Sequence, residues 1–201
     1  MSMTRSTLAL AGICGVVGLG IGVAAQTPPA TSAPATKMAA PAGAPTGKVA
    51  SAKMMPTQGS NTRGELTFTQ DAKGIHVTGS FTGLAFGEHG FHIHEKGDCS
   101  APDGASAGGH FNPTSSPHGA RDAAERHVGD LGNLKADPYG MARLDITDEK
   151  ISLDGPNSII GKAVIIHEKA DDFQTQPTGN AGARIACGVV EVKGASTPSS
   201  K

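Results

Sequence analysis

Alternation of apolar and polar positions is the first order visible along this chain. Residues 65–69 (ELTFT) and 75–81 (IHVTGSF) each alternate with a period of two, and Asp71-Ala72-Lys73-Gly74 between them has turn composition. That pairing predicts a β-hairpin. Further strands fit residues 89–95, 140–146, 162–167 and 186–192, and no long stretch repeats its apolar residues at helical spacing. Short alternating strands separated by turns predict an all-β sandwich or barrel. One short helical turn is expected at residues 168–173.

Residues 90–95 (GFHIHE) add chemistry to the pattern. Successive side chains of a strand face opposite ways, so Phe91 and Ile93 belong to the core face and His92 and His94 to the other. Their backbones would stand about 6.6 Å apart, within reach of one metal ion. Two exposed strand histidines are the plain alternative. Between residues 98 and 131 the alternation stops, and a loop of that length inside a domain is usually functional. It carries His110, His118, His127 and Asp130. Three imidazoles and one carboxylate make a complete tetrahedral zinc set, and a closed set signals a structural ion. Bound metal would supply the ordering energy that the loop's own side chains lack. A solvated loop that happens to hold three histidines is the alternative, and their crowding argues against it. His167 closes the apolar run 163–166 and, taken alone, reads as a strand-end histidine bonded to backbone. His76 reads as an exposed strand residue and His89 as a structural hydrogen-bonding one.

Composition and the chain ends narrow the setting. Residues 1–25 combine Arg5, an apolar run from Leu8 to Val23 and the small residues Ala24 and Ala25. That is the form of a cleavable export signal, with an uncleaved membrane anchor as the alternative. Residues 26–46 are almost all Ala, Pro, Thr, Ser and Gly and predict a disordered tether. Residues 47–194 suffice for one domain, and 195–201 form a flexible tail. A net charge of −1 argues against a nucleic-acid partner and against a basic membrane-binding surface. Membrane contact is expected only through the signal or an anchor. With Cys14 inside the signal, Cys99 and Cys187 are left. An even pair in an exported protein is most simply a disulfide, with two buried thiols as the alternative.

Together these segments resemble the copper/zinc superoxide dismutases, from about residue 48 to 192. The resemblance is carried by residues 90–95 (GFHIHE), 109–113 (GHFNP), 126–133 (RHVGDLGN), 164–172 (VIIHEKADD) and 179–188 (GNAGARIACG). It implies a Greek-key β-barrel of the immunoglobulin-like sandwich type with long metal-binding and active-site loops. It implies one copper ion held by His92, His94, His110 and His167, and one zinc ion held by His110, His118, His127 and Asp130. His110 would bridge the two metals, which spacing alone does not show. Asp171 matches the carboxylate that links a copper-side histidine, His92, to a zinc-side one, His118; on sequence alone it reads as solvated. Cys99 and Cys187 match the family's intrasubunit disulfide. Arg184 matches the arginine beside the copper that attracts the anionic substrate.

The implied reaction is dismutation of superoxide to dioxygen and hydrogen peroxide by alternate reduction and oxidation of copper. His110 and Arg184 would be the catalytic side chains, and the setting antioxidant defence outside the cytoplasm, in a periplasm, cell envelope or extracellular space. A copper-delivery protein on the same domain is disfavoured by the full ligand set, by Arg184 and by the lack of a Cys-x-x-Cys motif. The chain departs from the pattern at two places. Residues 100–106 after Cys99 are arranged differently from the contact loop of the familiar eukaryotic dimers, which leaves a homodimer open. Residues 173–178 (FQTQPT) are short and uncharged where those enzymes carry a longer charged loop, so substrate guidance would rest more on Arg184 and on lysines elsewhere in the chain.

Overall fold

The computed structural model describes residues 47–193. The expected signal (1–25), tether (26–46) and tail (195–201) lie outside the described residues. Nine strands follow in chain order: β1 (Val49–Pro56), β2 (Arg63–Asp71), β3 (Gly74–Thr82), β4 (Gly87–His94), β5 (Asp130–Ala136), β6 (Ala142–Asp148), β7 (Ala163–His167), β8 (Arg184–Val189) and β9 (Glu191–Val192). They pair in the order β2-β3-β6-β5-β4-β7-β8-β1-β9, and β1 also pairs with β2. That extra pairing closes the first eight strands into an antiparallel barrel and leaves only the two-residue β9 beyond the seam. Closure removes the exposed edges at which sheets aggregate. β6, not β4, lies beside β3, and β7 lies beside β4 rather than β6, so two connections cross the barrel in Greek-key fashion. The all-β Greek-key barrel expected from the sequence is therefore the fold of the chain.

The alternating residues fill the barrel. Ala50, Ala52 and Met54 of β1 meet Leu66 and Phe68 of β2, Ile75, Val77 and Phe81 of β3, and Phe91 and Ile93 of β4, all essentially without exposure. Phe81 and Phe91 pack edge to face with centroids 6.1 Å apart. Burial of each of these large side chains is worth about 1.5–3 kcal/mol. β7 does not alternate because both of its faces are covered: Val164 and Ile166 enter the barrel core, while Ala163 and Ile165 pack with Ala107 and Cys187 on the outer side.

β1 and β5 are not legible in the alternation. The inward residues of β1 include two alanines, poor strand formers, and β5 starts at Asp130 inside what reads as loop. The helical turn expected at 168–173 does not form. The Glu168 N–H donates to the Ala183 carbonyl, the Lys169 N–H donates to the Ala181 carbonyl, and the Lys169 carbonyl accepts the Gly90 N–H, which keeps the segment extended. Phe173 then takes a left-handed φ of 62°, which a helix cannot accommodate. Among the described residues the only helical element is a 3-10 turn at Ala105–Ala107.

β4 positions the site. It lies between β5 and β7, with His92 opposite both Asp130 and Ile165 and His94 opposite Ala163. A register shift between Gly90 and His92, and another in β7 between Ile166 and His167, turn the histidines out of the regular ladder. The second shift brings His167 opposite Arg184 of β8. Bulges of this kind re-aim side chains at the cost of a ladder bond.

Candidate metal centre

Two clusters of donor atoms lie on the outer face of β4, beneath loops 95–129 and 168–183. His92, His94, His110 and His167 form one, and His110, His118, His127 and Asp130 the other; within each, the donor atoms lie within 4.8 Å of one another. All seven residues are buried. His110 belongs to both, its ring 4.1 Å from that of His92 and 5.3 Å from that of His127 between centroids. An isolated bridge between His94 and His110 ties the loop to the end of β4.

Hydrogen bonds on the far side of each ring decide which nitrogen faces inward. His94 Nδ1 donates to the Gly108 carbonyl (2.9 Å) and His167 Nδ1 to the Gly182 carbonyl (3.2 Å). A carbonyl can only accept, so these rings carry their proton on Nδ1 and aim a bare Nε2 at the cluster. Asp171 does the same for two rings: Oδ2 accepts His92 Nε2 (2.7 Å) and Oδ1 accepts His118 Nε2 (2.9 Å), turning the Nδ1 of each inward. The result is a set of buried nitrogens with no hydrogen-bond partner: His92 Nδ1, His94 Nε2, His110 Nε2, His118 Nδ1 and His167 Nε2. Orphaned buried polar atoms are rare. Four of them, on His92, His94, His110 and His167, converge in the first cluster, and that of His118 faces the second, an arrangement that fits metal ions.

In the second cluster Asp130 Oδ1 lies 2.8 Å from His110 Nδ1, 3.0 Å from His118 Nδ1 and 3.2 Å from His127 Nδ1, and the His110 and His127 nitrogens are 3.3 Å apart. The His118 contact has the distance but not the angle of a hydrogen bond, since its Nδ1 is among the unpartnered atoms. A tetrahedral ion with bonds of about 2.0–2.1 Å sets its ligands roughly 3.3 Å apart. The cluster is that tetrahedron, slightly contracted. The other carboxylate oxygen of Asp130 accepts the backbone N–H groups of Gly119 (3.1 Å) and His127 (3.0 Å), so the acid also shapes the loop.

Electrostatics follow the donor sets. Burial pushes His94 well below its ordinary value, His110 down to about 4 and His167 down to about 3, with the neighbouring rings adding to the effect. Burial also acts to lower His118, but the Asp130 and Asp171 carboxylates outweigh it and raise the ring to about 9. Burial would raise both of those acids, yet the surrounding histidines hold them well below the usual carboxylate range.

These directions fix how the metal-free protein should respond to pH. His94, His110 and His167 bind fewer protons folded than unfolded, so their stability is present above about pH 6.5 and lost as pH falls below it. His118 works the other way: its contribution is complete below about 6.5 and fades as pH rises towards 9. The urea midpoint of the metal-free protein should therefore peak near neutrality. At pH 6 the three lowered rings should cost about 0.8 kcal/mol each, roughly 2.5 kcal/mol together. A midpoint that rises steadily from pH 7 to 5 would contradict the burial of these rings.

Arg184, half-buried, donates from Nη1 to the Gly104 carbonyl (2.7 Å) and from Nη2 to the Gly108 carbonyl (2.6 Å). Gly108 thus accepts from both Arg184 and His94. Cys99 and Cys187 are joined with their Cα atoms 5.8 Å apart. His89 bonds the His167 and Ala85 carbonyls, and His76 pairs with Asp145 at the surface. Neither enters the clusters.

Residues 62–190 match the copper/zinc superoxide dismutase (SODC) family. The chain belongs to that family. Membership makes this domain an oxidoreductase of the superoxide dismutase type, with one copper and one zinc ion per subunit. The chain is 48% identical over 134 residues to the extracellular Cu-Zn superoxide dismutase of Caenorhabditis elegans, a match spanning 63% of this chain and 60% of that protein's length. It is 47% identical over 149 residues to the extracellular enzyme of Drosophila melanogaster, spanning 69% and 81%. The crystal structure of the clock protein EA4 matches with a TM-score of 0.67 at 47% identity, covering 75% of this chain and 98% of that one.

Several residues around the two clusters were given no role by the sequence. Asn133 holds both backbone groups of Asp171: its Oδ1 accepts the N–H (2.8 Å) and its Nδ2 donates to the carbonyl (3.0 Å). Gly179, at φ 67°, packs so closely over Asp171 and His118 that a Cβ there would collide with Asp171 Oδ1. Arg126 is buried against Asp148 (2.5 Å) and donates to the His127 and Val128 carbonyls (2.9 and 3.1 Å). Each sits in a motif whose residue types are ordinary for loops, and only the fold shows what they touch.

Proposed function

We propose that copper is held by His92, His94, His110 and His167, zinc by His110, His118, His127 and Asp130, and that superoxide reacts on the copper side. His110 carries this reading: its Nε2 is unpartnered in the first cluster and its Nδ1 faces Asp130 in the second, so one ring would serve both donor sets. An all-nitrogen set suits copper. A closed set of three nitrogens and one oxygen suits structural zinc. Bound copper supplies a one-electron couple, so that one superoxide leaves as dioxygen and a second, with two protons, becomes hydrogen peroxide.

The chain's own groups do the rest. His110 Nε2, free of any fixed partner, holds and returns one of those protons. Asp171 orients the His92 and His118 rings together. Arg184, pinned by two carbonyls, presents a fixed positive charge beside His167, which draws an anion inward. Residues 173–178 carry no charge, so guidance falls on this arginine. The extracellular names of the worm and fly relatives, with the export signature of residues 1–25, support action outside the cytoplasm.

Metal analysis of the purified protein should give one copper and one zinc per chain, with superoxide decay faster than free copper provides; zinc alone, or no acceleration, would overturn the reading. Arg184→Glu should slow the reaction roughly tenfold at low ionic strength and make salt accelerate it where salt slows the parent. An unchanged low-salt rate would remove Arg184 from substrate guidance.

A further inference from the structure

The short uncharged loop is fastened to the zinc-side ligands by one side chain. Gln176 Oε1 accepts the His118 backbone N–H (2.8 Å), and Gln176 Nε2 donates to the His118 carbonyl (2.9 Å), across 58 residues of sequence. We propose that Gln176 is a positioning residue for zinc: it fixes the backbone of His118 so that the ring keeps its place between Asp130 and Asp171. The inference rests on the reading of His118 as a zinc ligand.

Both other attachments of His118 are through its ring, Nε2 to Asp171 Oδ1 and Nδ1 beside Asp130 Oδ1. With Gln176 in place, both backbone groups of this buried residue and its Nε2 are hydrogen-bonded, and Nδ1 alone is left facing Asp130. The same device recurs at Asn133, whose amide holds both backbone groups of Asp171. The two amides therefore fix the two ends of the His118–Asp171 contact. The loop that carries Gln176 is built to present it. Asp172 accepts from the Gln174 and Thr175 N–H groups (3.0 and 2.8 Å) and from the Thr175 hydroxyl (2.6 Å), while Gly179 and Thr175 close the turn through a backbone bond of 2.7 Å. The loop thus holds its shape through the one carboxylate of Asp172, just outside the uncharged stretch 173–178. Among the described residues, the only long-range side-chain bonds of stretch 173–178 are the two between Gln176 and His118.

Residues outside a metal's ligands that orient them typically change affinity 10–100-fold when removed. Gln176 is solvent-exposed while its amide reaches inward, so the low end applies. Zinc affinity of the full chain would be measured by competition with a chelator in copper-free protein, with copper affinity measured separately. Gln176→Ala should weaken zinc about tenfold and leave copper within about threefold, and the His118 amide should exchange faster in the metal-free state. Gln176→Glu, nearly the same shape, keeps the acceptor for the N–H but sets a carboxylate against the His118 carbonyl; it should also weaken zinc. Gln174→Ala, which preserves the amide, should not. If the parent binds zinc and Gln176→Ala binds it within threefold as tightly, the positioning role is wrong. If zinc and copper fall together in both variants, the loop supports the whole site rather than zinc, and the inference is equally overturned. A parent that binds no zinc at all would instead sink the reading of His118 as a ligand.

Discussion

Asp130→Ala will lose zinc before it loses anything else. One oxygen of this carboxylate meets three imidazole nitrogens at 2.8, 3.0 and 3.2 Å, and the other holds two loop N–H groups. Structural zinc binds with about 10–16 kcal/mol over four ligands, so deleting one should cost roughly 3–4 kcal/mol, a several-hundred-fold loss of affinity. The charge matters as much as the bond. Asp130 is the only anion in its set, and without it the ring of His118 loses one of the two carboxylates that raise it. The N–H groups of Gly119 and His127 lose their acceptor, about 1–3 kcal/mol for each that stays buried. Copper should be affected less, because Asp130 reaches that set only through the shared His110 and its backbone pairing with His92, while the His92 and His94 rings are held by Asp171 and Gly108. Zinc and copper content by elemental analysis, with hydrogen exchange across residues 98–129, checks the order of loss. Zinc retained at full stoichiometry in the variant would show that Asp130 is not a ligand.

The fold was legible wherever burial on one face imposes a period of two. β2, β3, β4 and β6 lie within two residues of their expected bounds at most ends because a slip of one residue would turn Phe68, Val77 or Phe91 out of the core. β1 was not, since Ala50 and Ala52 carry too little hydrophobic contrast against their neighbours. The clustering of the loop histidines was legible for a different reason: histidine crowded into an otherwise featureless loop has few uses. The sharing of His110 was not available from spacing, because it depends on Gly129 meeting the Ile93 backbone closely enough to fold the loop back onto β4. The uncharged stretch 173–178 read as a mere absence. In three dimensions that stretch supplies Gln176, whose partner lies in a different loop and leaves no local trace.

Replacing both Cys99 and Cys187 with serine should lower stability and blunt substrate capture through one and the same loop. The pair closes 88 residues, which the chain-entropy account values at about 4–5 kcal/mol. Cys187 is fixed within β8, opposite Ile165 of β7 and Met55 of β1, so the constraint acts on the loop that begins at Cys99. That loop is short of apolar anchors: Ala107 is its one fully buried side chain between residues 100 and 109. It is shaped instead by small bonds, Ser106 Oγ to the Asp98 carbonyl (2.9 Å) and the Gly104 N–H to the Ala101 carbonyl (2.9 Å). Its carbonyls at Gly104 and Gly108 hold the Arg184 guanidinium, and Gly108 also holds His94. Once the covalent tie is cut, those acceptors wander and the arginine loses its fixed aim. The urea midpoint should fall sharply, and at low ionic strength the rate of the metal-loaded variant should drop with a shallower dependence on salt. Pairing the change with Arg184→Ala separates the two effects: the losses in rate should fail to add, because the second change removes what the first has already misplaced. Additive losses would mean that the disulfide stabilises the barrel without positioning the arginine.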